Sequence, residues 1–369
     1  MKIGFDAKRA FLNNTGLGNY SRWLINGLIK HQPGNQYYLY TPKLSNSYLP
    51  GKGLTVRTPK LKLFTSRWRS SGIIHDLVRD DIQLYHGLSH ELPLGVFRKG
   101  IKSVVTVHDL IFMRYPQYFN WINRFIYKAK LVNACRFADR IVAVSLKTKV
   151  DLVELLHVNA NKIEVIYQSC DPSFKEVQTS EQLQAIKAKY DLPDKYLLCV
   201  GTIEERKNLL LLVKALKQVD NITLVVVGKP TKYLIEVKTY IDTNRLNSKV
   251  IFLHSVVFAD LPAIYQQAIC FIYPSRYEGF GIPVLEALVS GVSVIAAKGS
   301  CLEEAGGSDS LYVNPDDEDD LAGKINLVLS DTTFRQNMVA KGLQYSANFD
   351  DEKLIAQYAG LYNDVLNHA

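Results

Sequence analysis

The most informative part of the sequence is Tyr273-Pro274-Ser275-Arg276-Tyr277-Glu278-Gly279-Phe280-Gly281-Ile282-Pro283-Val284-Leu285-Glu286-Ala287-Leu288. An apolar run that ends at Tyr273 predicts a buried strand, and Pro283 suits the first turn of a helix. The glycines between them permit backbone angles that other residues avoid. The stretch therefore predicts a strand, a loop and a helix in succession, with Glu278 in the loop and Glu286 on the helix.

These two glutamates suit a nucleotide-sugar site. The loop carboxylate of Glu278 can reach a sugar. The helical carboxylate of Glu286 can accept both hydroxyls of a ribose, as an acid does in other nucleotide sites. The start of the helix would face the phosphates, because a helix N-terminus carries partial positive charge.

The same alternation of strand and helix patterns runs along the whole chain of 369 residues. β-Branched runs at 104–107 and 140–144 predict strands, and amphipathic stretches at 17–30 and 120–138 predict helices. Such alternation is typical of parallel sheets with helices on both faces. We therefore predict an α/β protein of two doubly wound, Rossmann-like domains that face each other across a cleft.

The alternation restarts midway, after the hinge-like stretch Tyr167-Gln168-Ser169-Cys170-Asp171-Pro172. This restart predicts an N-terminal domain over 1–168 and a C-terminal domain over 172–345, so that a transfer could place one substrate on each. Apolar residues at helical spacing predict a last helix over 350–369.

Charge is spread unevenly between the two halves. Residues 1–170 contain 25 Lys and Arg against 10 Asp and Glu, a net charge of +15, and the remainder contains 19 against 26, a net charge of −7. A bilayer surface, a lipid-phosphate acceptor or nucleic acid would each explain the basic half, and so would ordinary surface Lys and Arg. The segment 60–69 mixes cations with Phe64 and Trp68, which suits either a membrane-interface contact or an acceptor-side loop.

Cysteine usage and hydropathy indicate a cytoplasmic protein. The five cysteines are scattered and form no CxxC pair, which fits small buried side chains in a reducing compartment. No apolar run approaches the roughly 20 residues that a spanning helix needs. The N-terminus meets Asp6 too early for a signal peptide, so we expect a cytoplasmic location, with peripheral contact at the inner membrane face as a further option.

Three other features could bind a donor. Arg206 and Lys207 follow a predicted strand and lie beside a helix start, where two cations suit a diphosphate. A solvent-exposed basic turn would show the same sequence pattern. Gly16 and Gly18 make a turn that can bring backbone amides to a phosphate, or a plain turn. His108 ends a predicted strand, where it can bond a sugar hydroxyl or serve as a core histidine.

Taken together, these motifs resemble glycosyltransferase family 4, a family of retaining enzymes with the GT-B architecture. The resemblance rests first on Glu-Gly-Phe-Gly-Ile-Pro after a strand, with a second glutamate after seven residues. Four further features follow the family's order over residues 1 to about 300: the Gly16-Leu17-Gly18 turn, His108-Asp109, and the segments 138–145 and 201–208. In this architecture the last helix crosses back to the first domain; packing on the second domain is the alternative.

The resemblance makes the N-terminal domain the acceptor side and the C-terminal domain the nucleotide-sugar-binding side, and it implies roles for individual residues. Arg206 and Lys207 would bind the donor diphosphate, and Glu286 would hold the ribose. Glu278 would contact the transferred sugar near its C3 and C4 hydroxyls, and His108 would lie by the C6 hydroxyl and the reacting face. Of these, the implied catalytic residues are His108, Glu278, Arg206 and Lys207. The implied donor site also includes Gly279, Phe280, Gly281, Gly16 and Gly18, the last two of which would close on the diphosphate.

The implied activity is a metal-independent transfer of a hexose from a nucleotide-diphosphate donor, a co-substrate, with neither a metal nor a cofactor. Asn208 stands where the family has glycine, a variant of a mannosyltransferase-like subgroup, which favours GDP-mannose; a UDP-hexose is the alternative donor. The acceptor would be a saccharide or a lipid-linked intermediate in polysaccharide synthesis. Two departures from the family are Thr202, where many members have arginine, and the hinge sequence.

Two rival functions remain at this stage. A sugar-nucleotide epimerase of the same fold would share the nucleotide site. A nucleic-acid-binding protein would explain the basic half, but not Glu278 and Glu286 in a cleft that carries cations. The acidic run at 316–320 could suggest a metal site, yet acids that open a helix stabilise its dipole, and we interpret the run in that way. We predict neither a nucleic-acid partner nor a metal.

Overall fold

The structure is a computed structural model that describes residues 1–13, 15–45, 48–49, 51, 53–60 and 65–367. It divides into two compact units. The N-terminal unit comprises Met1–Ser169 together with Phe349–Ala369, and the C-terminal unit comprises Cys170–Asn348.

A parallel sheet forms the centre of the N-terminal unit. Its strands are β1 (Lys2–Asp6), β2 (Gln36–Tyr40), β3 (Leu54–Arg57), β4 (Leu84–Gly87), β5 (Lys102–Val107), β6 (Arg140–Ala143) and β7 (Ile163–Val165). In the described part of the chain the seven strands lie in the order β3-β2-β1-β4-β5-β6-β7, and Phe5 of β1 lies between Leu39 and His86. The order reverses direction beside β1, as it does in doubly wound sheets.

The helices before the hinge are α1 (Lys8–Leu12), α2 (Gly16–His31), α3 (Thr65–Arg67), α4 (Ile73–Arg79), α5 (Ile111–Arg114), α6 (Trp121–Phe137) and α7 (Leu146–Leu156). The runs at 104–107 and 140–144 supply β5 and β6, and the stretches at 17–30 and 120–138 supply α2 and α6, so the sequence pattern is confirmed at these four places. Residues 104–107 are all buried, because a central parallel strand is covered on both faces.

The C-terminal unit has the same plan. Its strands are β8 (Tyr196–Val200), β9 (Thr223–Val227), β10 (Val250–Leu253), β11 (Cys270–Tyr273), β12 (Ser293–Ala297) and β13 (Leu311–Val313), in the order β10-β9-β8-β11-β12-β13. Its helices are α8 (Ser180–Tyr190), α9 (Leu209–Ala215), α10 (Tyr233–Thr243), α11 (Leu261–Gln266), α12 (Ile282–Val289), α13 (Leu302–Gly306), α14 (Glu318–Ser330) and α15 (Thr332–Ser346). All described pairings in both sheets are parallel, which confirms the predicted fold class.

The last helix, α16 (Asp351–Asn367), belongs to the N-terminal unit and packs on α2 and β5. The two helices approach so closely that a Cβ on Gly27 of α2 would lie 2.6 Å from Ile355 Cδ1. A buried polar chain reinforces the contact: the Tyr358 hydroxyl lies 2.8 Å from that of Tyr20, and the Tyr362 hydroxyl lies 2.6 Å from His86 Nδ1.

Two side chains of the segment 60–69, predicted to contact a membrane or an acceptor, are engaged within the N-terminal unit. Trp68 Nε1 donates to Asp76 over 2.8 Å, and Arg69 forms ion pairs with Asp6 and Glu91. Arg69 is only 12% exposed, so neither side chain is presented as a free interfacial group. Residues 61–64 of this segment, including Phe64, lie outside the described residues.

All five cysteines are buried, as predicted from their apolar surroundings. Over the described ranges, the structure contains no helix that combines the length and the apolar character needed to cross a bilayer.

Replacement of Tyr362 by Phe tests the contact of α16. The substitution removes the hydroxyl that His86 Nδ1 contacts and leaves this buried nitrogen without that partner, so we expect a loss of about 1–3 kcal/mol in the free energy of unfolding, measured with urea. Tyr127→Phe is the control, because Tyr127 is 46% exposed and should change stability by less than about 0.5 kcal/mol. Equal effects of the two substitutions would contradict the argument.

Candidate active site

Two loops of the C-terminal unit lie together because β8 and β11 are neighbours in the sheet. The loop after β8 carries Arg206 and Lys207, and the loop after β11 carries Glu278. The backbone N–H of Arg276 donates to the Arg206 carbonyl over 2.9 Å, and the Ser275 hydroxyl oxygen lies 3.3 Å from the same carbonyl oxygen. The sheet and these bonds fix the cations beside the acid at the carboxyl ends of the strands.

One oxygen of Glu278, Oε1, is surrounded by donors. Lys207 Nζ donates to it, and Arg206 Nη1 lies 2.8 Å away. The hydroxyls of Ser275 and Tyr273 donate to it over 2.5 and 3.2 Å. We call Glu278, Arg206, Lys207, Ser275 and Tyr273 the Glu278 cluster.

The other oxygen of Glu278 is open. Among the described residues none donates to Oε2. This atom is also not fully buried, so it is accessible from solvent. The side chain is 12% exposed, and Oε2 contributes to this exposure. A ligand hydroxyl could donate to Oε2 without displacing any donor of the Glu278 cluster.

The cations of the cluster determine the ionisation of Glu278. Burial alone would raise the pKa of its carboxyl, but Lys207 and Arg206 outweigh burial and lower this pKa to about 2. Burial lowers the pKa of Lys207, while the Glu278 carboxylate acts in the opposite direction. A second carboxylate, that of Glu204, lies 2.6 Å from Arg206 Nη2, so two cations face two anions.

Glu286 has the opposite electrostatic environment. It lies on the buried face of α12, and its Oε2 accepts from the Tyr265 hydroxyl over 3.0 Å. Burial raises the pKa of the Glu286 carboxyl to about 7, and Asp171 adds to the rise. Within the described residues Glu286 has no ion pair, so no cation offsets the cost of burial.

The loop between Glu278 and α12 depends on one glycine. Gly281 has φ of +119° at the start of the helix, and a Cβ there would lie 2.8 Å from Leu302 Cδ2. The Phe280 side chain is buried and supports the loop. Gly279, the other loop residue of the predicted donor site, is half-buried.

Asn208, which replaces the family's glycine, keeps the backbone geometry that a glycine would allow. Its φ is +58°, in the left-handed region that asparagine tolerates better than most residues. Its side-chain amide donates to the Pro315 carbonyl over 2.7 Å, a bond that glycine could not make. The replacement therefore preserves the turn that carries Arg206 and Lys207.

In the N-terminal unit, His108 follows β5 and is buried. Its Nε2 donates to the Leu88 carbonyl over 2.9 Å, and its backbone N–H donates to His90 Nε2 over 3.0 Å. The ring of Tyr20 meets it edge-on, with ring centroids 4.7 Å apart. Burial and the neighbouring His90 lower the pKa of His108, so the neutral ring keeps a lone pair on Nδ1.

The two predicted glycines differ in what surrounds them. A Cβ on Gly18 would lie 1.8 Å from the Asn13 carbonyl oxygen, so the fold itself requires this glycine. A Cβ on Gly16, the first residue of α2, would meet nothing within 4 Å, which leaves the backbone open at the helix start. Asn14, in the same turn, lies outside the described residues.

Sequence reasoning missed His90 and Tyr20 and assigned no role to Ser275 or Tyr273. His90 follows β4, and a polar residue after a buried strand is the signal that identified His108. Tyr20 could not be found in this way, because its contact with His108 depends on how α2 packs.

The acidic run at 316–320 behaves as predicted: Asp317 caps α14, and Asp320, in the first turn of that helix, pairs with Lys324. Over the part of the chain that the structure describes, no three His, Cys, Asp or Glu side chains are grouped to hold a metal ion.

Two family models match the chain over nearly its whole length. The model "Glycosyltransferase Family 4" matches residues 15–174, and "Glycosyl transferases group 1" matches residues 182–345. The first match contains Gly16, Gly18 and His108, and the second contains the Glu278 cluster.

Two curated relatives carry closely related names. The O-antigen chain mannosyltransferase RfbU of Salmonella typhimurium is 32% identical over 217 residues, 58% of this chain and 58% of its own length. The O-antigen chain mannosyltransferase B of Escherichia coli is 28% identical over 292 residues, 76% of this chain and 74% of its own length.

A solved structure agrees with the fold along the entire chain. Sucrose-phosphate synthase from Thermosynechococcus elongatus superposes with a TM-score of 0.83 at 19% identity and covers 100% of both chains. This likeness shows the fold predicted above, two doubly wound α/β domains of the GT-B class.

The raised pKa of Glu286 predicts how stability depends on pH. Between about pH 4.5 and pH 7 the native carboxyl keeps a proton that the unfolded chain has lost, so the contribution of Glu286 to stability falls as pH rises. We expect Glu286→Gln to gain stability relative to the parent from pH 5 to pH 8, by on the order of 3 kcal/mol at most. Urea unfolding at pH 5 and at pH 8 measures this difference in stability, and Glu236→Gln, at an exposed position, is the control. A parallel pH dependence in all three proteins would contradict the assignment.

Proposed function

The chain belongs to glycosyltransferase family 4, and from that premise we propose that it transfers mannose from GDP-mannose to a saccharide or lipid-linked acceptor with retention of anomeric configuration. The observation that carries the proposal is the Glu278 cluster, which joins two cations to a carboxylate with one free oxygen. The relatives that are O-antigen chain mannosyltransferases support mannose as the sugar. None of the relatives reported above is an epimerase.

In the proposed donor site, Arg206 and Lys207 are the cations that would bind the diphosphate. Without a donor, Arg206 and Lys207 are balanced by Glu278 and Glu204. A diphosphate would share these cations, and charge that develops on the leaving nucleoside diphosphate would be stabilised at once, because the groups are already in place. The open Oε2 of Glu278 would accept a hydrogen bond from a hydroxyl of the mannosyl ring.

Glu286 would hold the ribose in its ionised form. A carboxylate can accept hydrogen bonds from both ribose hydroxyls, whereas a protonated carboxyl has lost one acceptor position. The pKa of about 7 means that the ion is readily available at neutral pH, and the two hydroxyls would stabilise it further. Tyr265 leaves one oxygen of the carboxylate open for this purpose.

Retention is proposed to occur by departure and attack on one face of the sugar. The bond from C1 to the phosphate oxygen breaks, the bond from C1 to the acceptor oxygen forms, and the acceptor proton passes to the departing phosphate. A double displacement through Glu278 is less compatible with its environment. Its Oε1 is occupied by four donors and its pKa is about 2, so the carboxylate is a weak nucleophile and a weak base.

In the N-terminal unit, His108 is proposed to contact the sugar through Nδ1. Because Nε2 donates to Leu88, the neutral ring can accept a hydroxyl hydrogen at Nδ1. The roles of Gly16 and Gly18 at the diphosphate stay predictions from the family resemblance. Of the two, Gly16 has the open surroundings that a ligand phosphate would need.

The acceptor is proposed to occupy a cavity of about 720 Å³ in the N-terminal unit. Its lining includes Lys8, Lys43, Arg69 and Lys130. Arg69 pairs with Asp6 and shares the carboxylate of Glu91 with Lys130, at 2.6 and 3.2 Å, while Lys8 and Lys43 have no ion pair within the described residues. The excess of positive charge favours an acceptor that carries phosphate, as a lipid-linked saccharide does.

A panel of GDP-mannose, UDP-glucose, ADP-glucose and dTDP-glucose tests the donor. A ligand that binds the native state raises the melting temperature, by the equivalent of roughly 2.7 kcal/mol at one hundred times its dissociation constant. We expect the largest rise with GDP-mannose, and NMR of the transferred sugar should show the donor's anomeric configuration. A larger rise with UDP-glucose would reassign the donor. Conversion of a donor without acceptor would identify an epimerase, and no rise with any compound would refute the nucleotide site.

Replacement of Glu278 by Gln tests the catalytic cluster. Gln keeps the shape but removes the charge and the accepting carboxylate, so we expect kcat to fall by about 100-fold or more. Donor affinity should change little, because the weakened contact with the sugar is offset by the loss of an anion that competes with the diphosphate for the cations. Glu204→Gln is the matched control, since Glu204 also pairs with Arg206 and should affect kcat far less. Unchanged turnover in Glu278→Gln would remove this residue from the mechanism.

A further inference from the structure

The first ten residues of α6 are almost entirely exposed, although the helix contains many large apolar residues. Trp121 and Phe125 are 73% and 72% exposed, and Ile122, Ile126 and Tyr127 are each more than 40% exposed. We call these five residues the α6 apolar surface. In contrast, the second half of the helix buries Leu131, Ala134 and Cys135 in the core of the N-terminal unit.

The exposed half is nevertheless a well-formed helix. The Asn120 side chain caps it by accepting from the Ile122 N–H over 2.9 Å. Arg124 ties it to the unit by donating to the Phe112 carbonyl over 3.2 Å. Trp121 and Phe125 are four residues apart, so they lie one above the other on one face, as do Ile122 and Ile126. A folded helix thus presents a continuous apolar surface to solvent.

The charge around this surface has one sign. Residues 110–138 contain five Lys and Arg and no Asp or Glu. The acids that reach this region are already engaged: Arg114 pairs with Asp151 and Glu154, and Lys130 pairs with Glu91. Over the described ranges, the other cations of the stretch, Arg124, Lys128 and Arg136, make no ion pair with a carboxylate.

We propose that the exposed half of α6 docks the protein on an anionic lipid bilayer. Trp121 and Phe125 enter the boundary between head groups and acyl chains, where aromatic side chains are favoured. Arg124 and Lys128 meet the lipid phosphates, whose negative charge attracts cations near the bilayer surface. A protein partner fits less well, because the centres of protein interfaces are depleted of lysine, whereas here cations alternate with the apolar residues.

The location of α6 connects this surface to the acceptor side. Lys130, on the turn after the α6 apolar surface, lines the cavity proposed for the acceptor. A lipid-linked saccharide held in the bilayer would therefore be presented beside that cavity. This connection rests on the proposed function, whereas the docking itself does not.

Vesicle binding of the full chain tests the proposal. We expect co-sedimentation with vesicles of phosphatidylcholine and phosphatidylglycerol, weaker binding as salt increases, and little binding to phosphatidylcholine alone. The double variant Trp121→Ser, Phe125→Ser should bind at least about tenfold more weakly. Ile235→Ser is the matched control, because Ile235 is also exposed, at 70%, but lies on α10 of the other unit.

Tryptophan fluorescence gives a second, local readout. Trp23 and Trp68 donate to Asp351 and Asp76 inside the unit, so quenching by brominated lipids should come from Trp121 and disappear in Trp121→Phe. Equal vesicle binding by the double variant, equal binding to both lipid compositions, or quenching that persists in Trp121→Phe would overturn the proposal. If the parent protein forms a dimer that the double variant loses, and the parent does not bind vesicles, the proposal would be overturned in favour of self-association. Donor-induced stabilisation, measured without lipid, reports separately on the proposed function and should be the same in all variants.

Discussion

The Glu278 cluster depends on one constraint: a buried carboxylate can stay ionised only where cations and donors compensate for lost water. Lys207 and Arg206 compensate the charge of Glu278, and Glu278 in turn holds two cations that would otherwise repel each other. Removal of Glu278 or of either cation leaves the buried charges unbalanced. The parallel arrangement of β8 and β11 makes the cluster possible, because it brings the ends of two strands, distant in sequence, to adjacent positions.

The same compensation prepares the cluster to receive an anion. Lys207 shares its ammonium group between Glu278 and the Tyr273 hydroxyl, so the cation is held in place before any ligand arrives. Fixed donors need not reorganise when charge develops on a leaving group, which is why preorganised sites stabilise it better than water does. In the proposed donor site a diphosphate would not have to create a binding site, because it would share the cations with a carboxylate. Selectivity for dianionic ligands would follow from this competition.

Much of the fold could be predicted because period and composition decide local structure. The β-branched run at 104–107 had to be a buried strand, and Gly281 with Pro283 had to mark a loop and a helix start. Contacts between elements were out of reach. Nothing local in the sequence brings Tyr20 to His108, or turns Trp68 and Arg69 inwards. The prediction of an interfacial contact at 60–69 was based on composition, and composition alone does not show which of several basic, aromatic segments is left uncovered. Among the described residues, Trp68 and Arg69 are engaged within the unit, whereas the apolar side chains of α6 are exposed.

Burial alone does not determine what a carboxyl group can do. Glu278 and Glu286 are both largely removed from water, and both keep one oxygen free, yet their pKa values are about 2 and about 7. The difference comes from their neighbours: cations at Glu278, and a tyrosine hydroxyl with a nearby aspartate at Glu286. The first group is a fixed anion that can neither donate a proton nor readily accept one. The second can change its charge when a ligand supplies hydrogen bonds. Two glutamates at a fixed spacing thus acquire separate roles, one as a permanent electrostatic partner of cations and one as a responsive acceptor, and the loop at Gly281 sets where each stands.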